Sequence, residues 1–288
     1  MNEVARRMTN PEILPFQDRH LPEAVRLSAH EGWPHKADDW ALVAAISHAF
    51  VACEGEKTVG TAFCTPFGDD VAMINMIIVD ETMRGRGLGR RLMETVMAQA
   101  GERELRLTAT AAGLPLYTKL GFVQGGRILQ HQGEIGAIAA PEDVKDAASE
   151  DWEAIVALDR AATGADRSSL FARLRAVGET VVTRGPEGRV SGFAICRPFG
   201  RGYVVGPAAA ADVQTAERLI AAHLHRHPGS FMRVDTTAES GLAPWLAAQG
   251  LPHVGGGVAM TCRSQASKPQ SPPSKDVHTF ALAAQALG

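Results

Sequence analysis

The chain of 288 residues lacks the features that mark several common classes of protein. Its four cysteines are scattered and form no Cys-x-x-Cys pair, which argues against a disulfide framework and against a zinc site. No apolar run approaches the roughly 18 residues of a membrane span. The first ten residues have no apolar core of the kind found in a secretory signal. The sequence therefore predicts a cytoplasmic protein with no metal centre and no membrane partner.

An excess of either charge is also missing. There are 29 lysines and arginines against 32 aspartates and glutamates, a net charge of -3, so nucleic acid is not an expected partner. Aromatic residues are few, and Tyr117 and Tyr203 are the only tyrosines. With 45% hydrophobic residues the chain can bury a sizeable core, and its length favours two domains over one. The oligomeric state is not predicted by these features.

The segment from Ala72 to Arg91 predicts an anion-binding loop between a strand and a helix. The run from Ala72 to Val79 is apolar except at Asn75, which is typical of a strand covered on both faces. Beyond the loop, apolar residues recur every four positions and predict a helix: Leu88, Leu92, Val96 and Ala100. The first amides of a helix have no partner inside it, and glycines leave them accessible, so the loop can hold a diphosphate.

The spacing of the glycines separates the interpretations of this loop. A dinucleotide fingerprint requires Gly-x-Gly-x-x-Gly, but Arg90 stands where the third glycine belongs. A phosphate loop of the nucleotide-hydrolase kind requires Gly-Lys-Ser/Thr, which the segment lacks. A glycine-rich turn with a solvated basic face is the remaining structural alternative.

What the loop does contain, Arg84-x-x-Gly87-x-Gly89, resembles the pyrophosphate-binding motif of the GNAT superfamily of acyl-CoA-dependent N-acetyltransferases. The resemblance implies acetyl-CoA as the cofactor, bound by the end of the strand and by the loop. The residues assigned to the cofactor in this way are Ile77, Ile78, Val79, Arg84, Gly85, Arg86, Gly87, Leu88, Gly89 and Arg90.

Residues 111–122 resemble a second segment of the same family. Pro115 near the start and Gly121 near the end predict a short helix after the strand Glu104 to Ala109. In the family such a helix carries a tyrosine whose hydroxyl often faces the cofactor sulfur, and the motif maps that residue to Tyr117. Attack of an amine on a thioester creates an oxyanion and expels a thiolate, so a nearby phenol is useful as a proton source. The resemblance implies Tyr117 as the catalytic acid, with simple packing of the ring as the alternative.

The chain also contains an internal repeat. Residues 51–68 and 182–200 both read as hairpins that end in Cys-x-Pro-Phe-Gly. The matched pairs, all 132 positions apart, are Gly60 with Gly192, Cys64 with Cys196 and Gly68 with Gly200. At the same offset the helix residues Leu88 and Leu92 meet Ile220 and Leu224.

The repeat does not keep the residues of the loop. Arg84, Gly87 and Gly89 meet Ala216, Leu219 and Ala221, and at a slightly shorter offset Tyr117 meets Leu246. The resemblance therefore implies an α/β protein, of mixed α+β type, with two tandem GNAT-like domains, each a mixed, mostly antiparallel sheet flanked by helices. We expect the first domain to carry an intact acetyl-CoA site and the second to be degenerate.

The predicted organisation divides the chain into five parts. They are a flexible tail (1–12), the acetyltransferase domain (13–135), the degenerate domain (138–263), a Ser/Pro-rich linker (264–276) and an apolar segment that packs back (277–288). Free disorder is the alternative for the last part.

A loop near the N-terminus holds the candidates for the acceptor side of the site. Its Glu-Gly-Trp-Pro sequence resembles a tandem subgroup of the family, which implies Trp33, His35 and Asp38 as acceptor-binding residues. Ordinary packing of the tryptophan is the alternative. Asp166-Arg167 resembles another segment of that subgroup and has no assigned role. The sequence does not identify the general base, although His30, Glu31, His35 and Asp38 are close in sequence.

Two functional hypotheses follow. The first is an acetyl-CoA-dependent N-acetyltransferase that modifies a primary amine of a small molecule by direct attack in a ternary complex. The second is a non-catalytic acyl-CoA sensor or scaffold. Acetylation of a protein amine is a variant of the first.

Overall fold

A computed structural model describes residues 10–263 and 274–288 of the chain. The first half contains, in order, β1 (Glu12–Pro15), α1 (Leu21–His30), α2 (Ala37–Ala44), β2 (His48–Glu54), β3 (Lys57–Phe67), β4 (Val71–Val79), α3 (Leu88–Ala100), β5 (Glu104–Ala109), α4 (Leu114–Lys119) and β6 (Val123–Glu134). β1 begins inside the segment predicted as a tail, because Glu12 pairs with Cys53 of β2. Residues 1–9 and 264–273 of the predicted tail and linker lie outside the described residues.

The second half repeats the same order of elements. It contains β7 (Lys145–Asp146), α5 (Trp152–Thr163), α6 (Ser168–Val177), β8 (Glu179–Arg184), β9 (Val190–Phe199), β10 (Gly202–Ala210), α7 (Val213–Arg226), β11 (Phe231–Thr237), α8 (Ala243–Ala248) and β12 (His253–Cys262), and then β13 (His278–Ala281). The glycines matched by sequence also share their backbone geometry, since φ is +64° at Gly68 and +52° at Gly200. The repeat found in the sequence is thus a structural repeat.

All the strands of the described residues belong to one continuous sheet. Its order is β1-β2-β3-β4-β5-β12-β6-β11-β10-β9-β8-β7, and β13 pairs with β10. The pairs β4–β5 and β10–β11 are parallel, while the other pairs are antiparallel. A mixed, mostly antiparallel sheet flanked by helices confirms the predicted fold class.

The two halves exchange their last strands. β12 of the second half pairs with β5 of the first, from Val258 opposite Ala109 to Cys262 opposite Leu105. β6 of the first half pairs with β11 of the second over seven residues. The halves are therefore continuous in sequence but interlocked in space.

A shared core joins the halves further. Buried side chains of α1 and α2, including Leu27 and Trp40, belong to the same apolar cluster as Ile155 of α5 and Phe171 of α6. Separate clusters lie beneath α3 and beneath α7. No helix in the described ranges is long and apolar enough to cross a lipid bilayer. The four cysteines are free.

Candidate active site

The site begins where two parallel strands of the first half stop pairing. β4 and β5 pair only over Val71–Met73 and Glu104–Arg106, although β4 runs on to Val79 and β5 to Ala109. Residues of both strands beyond that point line a cavity of about 190 Å³. Its lining also includes the loop of residues 32–35, Tyr117, and several groups from the second half and the C-terminal segment. The strands thus open a wedge toward the cavity.

A β-bulge in β4 faces this cavity. Thr61 pairs with Ile78 and Phe63 with Asn75. Two residues of β4, Met76 and Ile77, therefore lie opposite the single residue Ala62 of β3. Met76 has φ +49°, a left-handed conformation that is costly for a residue with a side chain. Met76 and Ile77 both line the cavity. A bulge takes backbone groups out of the ladder, so it can direct them at a bound ligand.

Asn75, the single polar residue of the apolar run, also lies in the cavity wall. Its Nδ2 donates to Thr65 Oγ1 at 2.8 Å, while its buried Oδ1 has no hydrogen-bond partner among the described residues. Of the three β4 residues assigned to the cofactor, Ile77 lines the cavity. Ile78 and Val79 do not, and Ile78 is buried in the shared core.

Tyr117 lies on α4 with its ring against the wedge. The residue is 7% exposed, and its ring centre lies 6.1 Å from that of Phe122. Gly113 makes room for the ring, since a Cβ there would lie 2.7 Å from a ring carbon of Tyr117. The hydroxyl makes no hydrogen bond to a described residue. Burial raises the pKa of Tyr117 to about 12, so the phenol stays protonated at neutral pH.

The predicted anion-binding loop leads into α3. Gly85 and Gly87 have φ +75° and +79°, and Gly87 is the N-cap of the helix. The amides of residues 85–87 donate to no backbone carbonyl in the described part of the chain. The next amides, at Leu88, Gly89 and Arg90, begin the helix and have no partner within it. A run of bare amides at a helix N-terminus is suited to an anion.

Acidic side chains lie near the arginines of this loop, which the sequence alone does not indicate. Arg84 forms an ion pair with Glu31 at the end of α1. Arg90 pairs with Glu94 one turn further along α3, at 2.8 Å. Arg86 is exposed and has no partner among the described residues. The loop is therefore tied to α1, and Arg86 is the arginine most available to a ligand.

The corresponding helix of the second half has its N-terminus closed. α7 has Asp212 as its N-cap, and the carboxylate accepts a hydrogen bond from the amide of Thr215 at 2.7 Å. This carboxylate occupies the end of the helix that a ligand anion would need. The missing glycines and the presence of a cap together leave no equivalent anion site at α7.

The wedge of the second half is filled by the chain itself. β10 and β11 pair in parallel only at Tyr203 and Val204, and β13 then pairs with β10 where the strands would part. The amide of Leu282 donates to the backbone carbonyl oxygen of Asp235 in β11 at 2.8 Å. A Cβ on Gly206 would lie 1.9 Å from the Leu282 carbonyl oxygen, so this glycine permits the close approach. The Gly206-Pro207-Ala208 segment therefore contacts the C-terminal segment.

Two of the three predicted acceptor residues reach the cavity. Trp33 and His35 line it, and their ring centres lie 5.8 Å apart. Asp38 is exposed and does not line it, because the first turn of α2 directs it to solvent. The next residue, Asp39, is buried instead and accepts from the amide of Lys36 at 2.8 Å. The prediction of Asp38 as an acceptor residue is thus not supported by its position.

Asp80 and His35, two titratable residues near the site, differ in their charge at neutral pH. Burial alone would raise the pKa of Asp80, but hydrogen bonds from Thr82 and the charge of Lys57 outweigh it and lower the pKa to about 2. Asp80 is therefore a fixed anion. Burial lowers the pKa of His35 to about 4 despite the opposing charge of Asp39, so His35 is neutral at pH 7. Its buried Nδ1 has no hydrogen-bond partner among the described residues.

Several lining residues come from parts of the chain that the sequence did not connect with the site. Phe199 and Arg233 come from the second half, Gln130 from β6 and Gln285 from the C-terminal segment. Phe199 contacts His35 edge to face, with ring centres 5.2 Å apart. A possible signal was the repeated Cys-x-Pro-Phe-Gly, whose second copy contains Phe199.

Two histidines of α7, at alternate positions near its C-terminal end, lie within hydrogen-bond distance of backbone carbonyl oxygens. His223 is buried and its Nε2 lies 3.0 Å from the Ala194 carbonyl oxygen, while Nδ1 of His225 lies 2.7 Å from that of Ile138. The described residues contain no cluster of three or more histidine, cysteine or carboxylate side chains that could hold a metal ion.

Comparison with known proteins identifies similar sequences in both halves. Two family models, each described as an acetyltransferase (GNAT) domain, match residues 45–124 and 155–272. The N-acetyltransferase YitH of Bacillus subtilis, described as uncharacterized, is 25% identical over 243 residues, which cover 79% of this chain and 83% of that protein.

Solved structures share the architecture along the whole chain. A candidate acetyltransferase from Pyrococcus horikoshii has a TM-score of 0.80 at 16% identity and covers 100% of this chain and 99% of its own. A GCN5-related N-acetyltransferase from Sphaerobacter thermophilus has a TM-score of 0.65 at 15% identity, covering 92% and 100%. A tandem GNAT protein from the clavulanic acid biosynthesis pathway has a TM-score of 0.61 at 14% identity, covering 90% and 99%. At these identities the likeness concerns the fold.

Proposed function

The chain belongs to the GNAT superfamily of acetyltransferases, with two GNAT domains in tandem, and from this premise we propose that its first half transfers an acetyl group from acetyl-CoA to the primary amine of a small molecule. The observation that carries the proposal is the run of bare amides from Gly85 to Arg90, at a helix N-terminus beside an open wedge. The second half has neither feature, because Asp212 caps its helix and β13 fills its wedge.

The residues fit acetyl-CoA in two respects. The amides of residues 85–90 would bind the diphosphate, with Arg86 available for additional charge. Ile77 lines the cavity where β4 and β5 no longer pair, so it would contact the pantetheine arm. Acetyl-CoA supplies an activated thioester, whose carbonyl carbon is attacked by the amine and whose sulfur leaves as a thiolate.

Tyr117 supplies the proton in this proposal. Its hydroxyl has no hydrogen-bond partner in the described ranges, and the residue lines the cavity in which the amine and thioester would meet. The raised pKa keeps the hydroxyl protonated at neutral pH, so it can donate to the departing sulfur and pass it a proton. The phenolate then takes up the proton that the nitrogen of the attacking amine releases, so Tyr117 ends the reaction protonated. Backbone N–H groups at the bulge of Met76 and Ile77 would stabilise the oxyanion. The sequence of events is direct attack in a ternary complex.

The shape of the cavity favours a small acceptor. It lies between the halves, lined by the loop of residues 32–35 on one side and by Phe199 and residues 284–286 on others. A volume of about 190 Å³ leaves room for a metabolite rather than for a folded protein surface.

The direct test is release of free thiol from acetyl-CoA across a panel of primary amines, with the full chain. We expect thiol release that depends on the amine and yields the acetylated amine by mass spectrometry. Calorimetric binding of acetyl-CoA without thiol release by any amine would favour the sensor or scaffold hypothesis. Absence of acetyl-CoA binding would contradict the assignment of the loop.

A further inference from the structure

The wall of the cavity carries charge of one sign. Among the described residues that line it, Arg233 has the one permanently charged side chain, and none is an aspartate or a glutamate. His35 is neutral at pH 7. A polyamine or an aminoglycoside carries several positive charges and would find no carboxylate in this wall to compensate for lost water. The lining therefore disfavours a polycationic acceptor.

Arg233 is held in one geometry and keeps part of its guanidinium free. Its Nε and Nη2 donate to the carboxylate of Asp235 at 2.9 and 3.1 Å. Asp235 is fully buried and also accepts from Nε2 of Gln285 at 3.0 Å. Nη1 has no hydrogen-bond partner among the described residues, although Arg233 as a whole is only 6% exposed. Two N–H donors on a buried cation are thus available to a ligand.

The internal repeat relates the cavity to a second pocket, and this pocket has an arginine at the strand position equivalent to that of Arg233. Met73 of β4 pairs with Arg106 of β5, and the equivalent residue of β10, Val204, pairs with Arg233 of β11. Arg106 lines a pocket of about 250 Å³ on the other side of the shared core. The two pockets are therefore built on equivalent strand positions.

That second pocket contains oxygen atoms from the chain. Arg167, which matches His35 at the offset of 132, lines it, and its Nη1 donates to the backbone oxygens of Leu287 and Gly288 at 3.1 and 2.5 Å. Arg167 lies over Phe67 just as His35 contacts Phe199. The oxygens of this pocket are thus held by Arg167, while Arg106 donates to Glu104 and to the Thr163 carbonyl oxygen. In the cavity the counterpart of Arg167 is the neutral His35, so Arg233 is the one cationic side chain of its described lining that can bind such oxygens.

We propose that the acceptor is a small primary amine that also carries an anionic group, a carboxylate or a phosphate, and that Arg233 binds this group through Nη1. The inference rests on the proposed acetyl transfer in the first half. Arg233 is here a residue that determines specificity.

The test compares matched acceptors. Amino acids are assayed against their amides, and amino sugars against their 6-phosphates, by thiol release with the full chain. We expect kcat/KM to favour the anionic member of at least one pair by about 10- to 100-fold, the value of a charged hydrogen bond. The two pairs distinguish carboxylate from phosphate. Equal turnover within both pairs, or preference for the uncharged members, would overturn the proposal.

A double variant separates recognition from folding. Arg233→Gln alone would leave the buried Asp235 unpaired, so Arg233→Gln is combined with Asp235→Asn, which keeps a neutral hydrogen-bonded pair. We expect the double variant to retain acetyl-CoA affinity and to lose the preference for anionic acceptors. The matched control is Arg201→Gln, because Arg201 is exposed, stacks on Phe231 and does not line the cavity. A preference that persists in the double variant would count against Arg233.

A binding measurement keeps this inference separable from the proposed reaction. In the presence of CoA, N-acetylated amino acids and amino sugar phosphates should raise the melting temperature more than their uncharged counterparts do. This difference should vanish in the double variant. Thiol release without this selectivity would support acetyl transfer and contradict the anion site at Arg233. Selective binding without thiol release would support the anion site and contradict acetyl transfer.

Discussion

Asp39 of α2 and Arg197 of β9 form a buried ion pair between the two halves of the chain, with Oδ1 and Nη1 3.3 Å apart. Their side chains are 5% and 4% exposed, and they lie 158 positions apart in the sequence. The other oxygen of Asp39 accepts from the amide of Gly200 at 3.1 Å. The contact therefore fixes the start of α2 against the second half, and with it the preceding loop of residues 32–35.

Removing one member of this pair should destabilise the whole chain. Arg197→Gln leaves the Asp39 charge buried without its partner, and we expect the free energy of unfolding to fall by about 3–5 kcal/mol in a denaturant titration. The matched control is Arg218→Gln, whose partner Asp143 is half exposed and which should lose less than about 1 kcal/mol. Equal losses in the two variants would contradict a structural role for the buried pair.

Loss of the Tyr117 hydroxyl should affect turnover and not affinity. Tyr117→Phe keeps the ring packed against Phe122 while removing the proton donor, so kcat should fall by about 100-fold or more, with the Kd of acetyl-CoA little changed. Steady-state kinetics and calorimetry measure the two quantities. The control is Tyr203→Phe, because this tyrosine stacks on His227 at 4.2 Å outside the cavity. Unchanged turnover in Tyr117→Phe would remove the proposed role.

A side chain at Gly87 should weaken cofactor binding. Gly87→Ala adds a Cβ where φ is +79°, which costs about 1–2 kcal/mol and reorients the amides at the start of α3. We expect the affinity for acetyl-CoA to fall at least about tenfold. Gly55→Ala serves as control, since Gly55 has φ +62° in the β2–β3 turn and, like Gly87, has open space around a new Cβ. If both variants bind acetyl-CoA equally well, the loop does not bind the diphosphate.

Stability should decrease as the pH falls from about 6.5 to 4. Burial lowers the pKa of His223 from 6.5 to about 4, so in this range the unfolded chain takes up a proton that the folded chain does not. The loss from His223 should reach about 2 kcal/mol at pH 5. His35 contributes in the same direction. Asp80, whose pKa is lowered to about 2, contributes at lower pH, as the pH falls below its ordinary value of 3.8.

Substitution of one histidine isolates its share of this effect. In His223→Gln the side chain can still donate to the Ala194 carbonyl, and the dependence of unfolding free energy on pH should be shallower between pH 6.5 and 4 than in the unmodified chain. His225→Gln, at an exposed histidine two residues further on, should leave the slope unchanged. A slope that is the same in all three proteins would contradict the burial argument.

Local signals accounted for the repeat and for the helix that follows the glycine loop. The offset of 132 between Gly68 and Gly200 predicted two copies of one order of elements, and the apolar spacing from Leu88 to Ala100 matches α3. These features depend on residues close in sequence, where periodicity and glycine geometry act directly. The roles assigned to the loop residues and to Tyr117 stay predictions.

The long-range features could not be predicted from the same signals. An exchange of β6 and β12 changes which strands are neighbours without changing the apolar pattern of either strand. Arg233 reaches the cavity only because β11 joins β6, and Gln285 reaches it only because β13 enters the second wedge. Whether Asp38 or Asp39 is buried depends on the rotation of α2 relative to Gly200. A single sequence does not reveal this rotation.

The exchanged strands make the first half depend on the second for the completion of its sheet. The molecule is arranged as a strand-swapped dimer whose two subunits have become one polypeptide, with Gly68 against Asp166 mirrored by Gly200 against Pro34. Deleting the second half would take away β12, and β5 would then present an open edge directly beside the cavity. The loop residues can therefore differ between the two copies while the strands of the later copy stay indispensable to the earlier one.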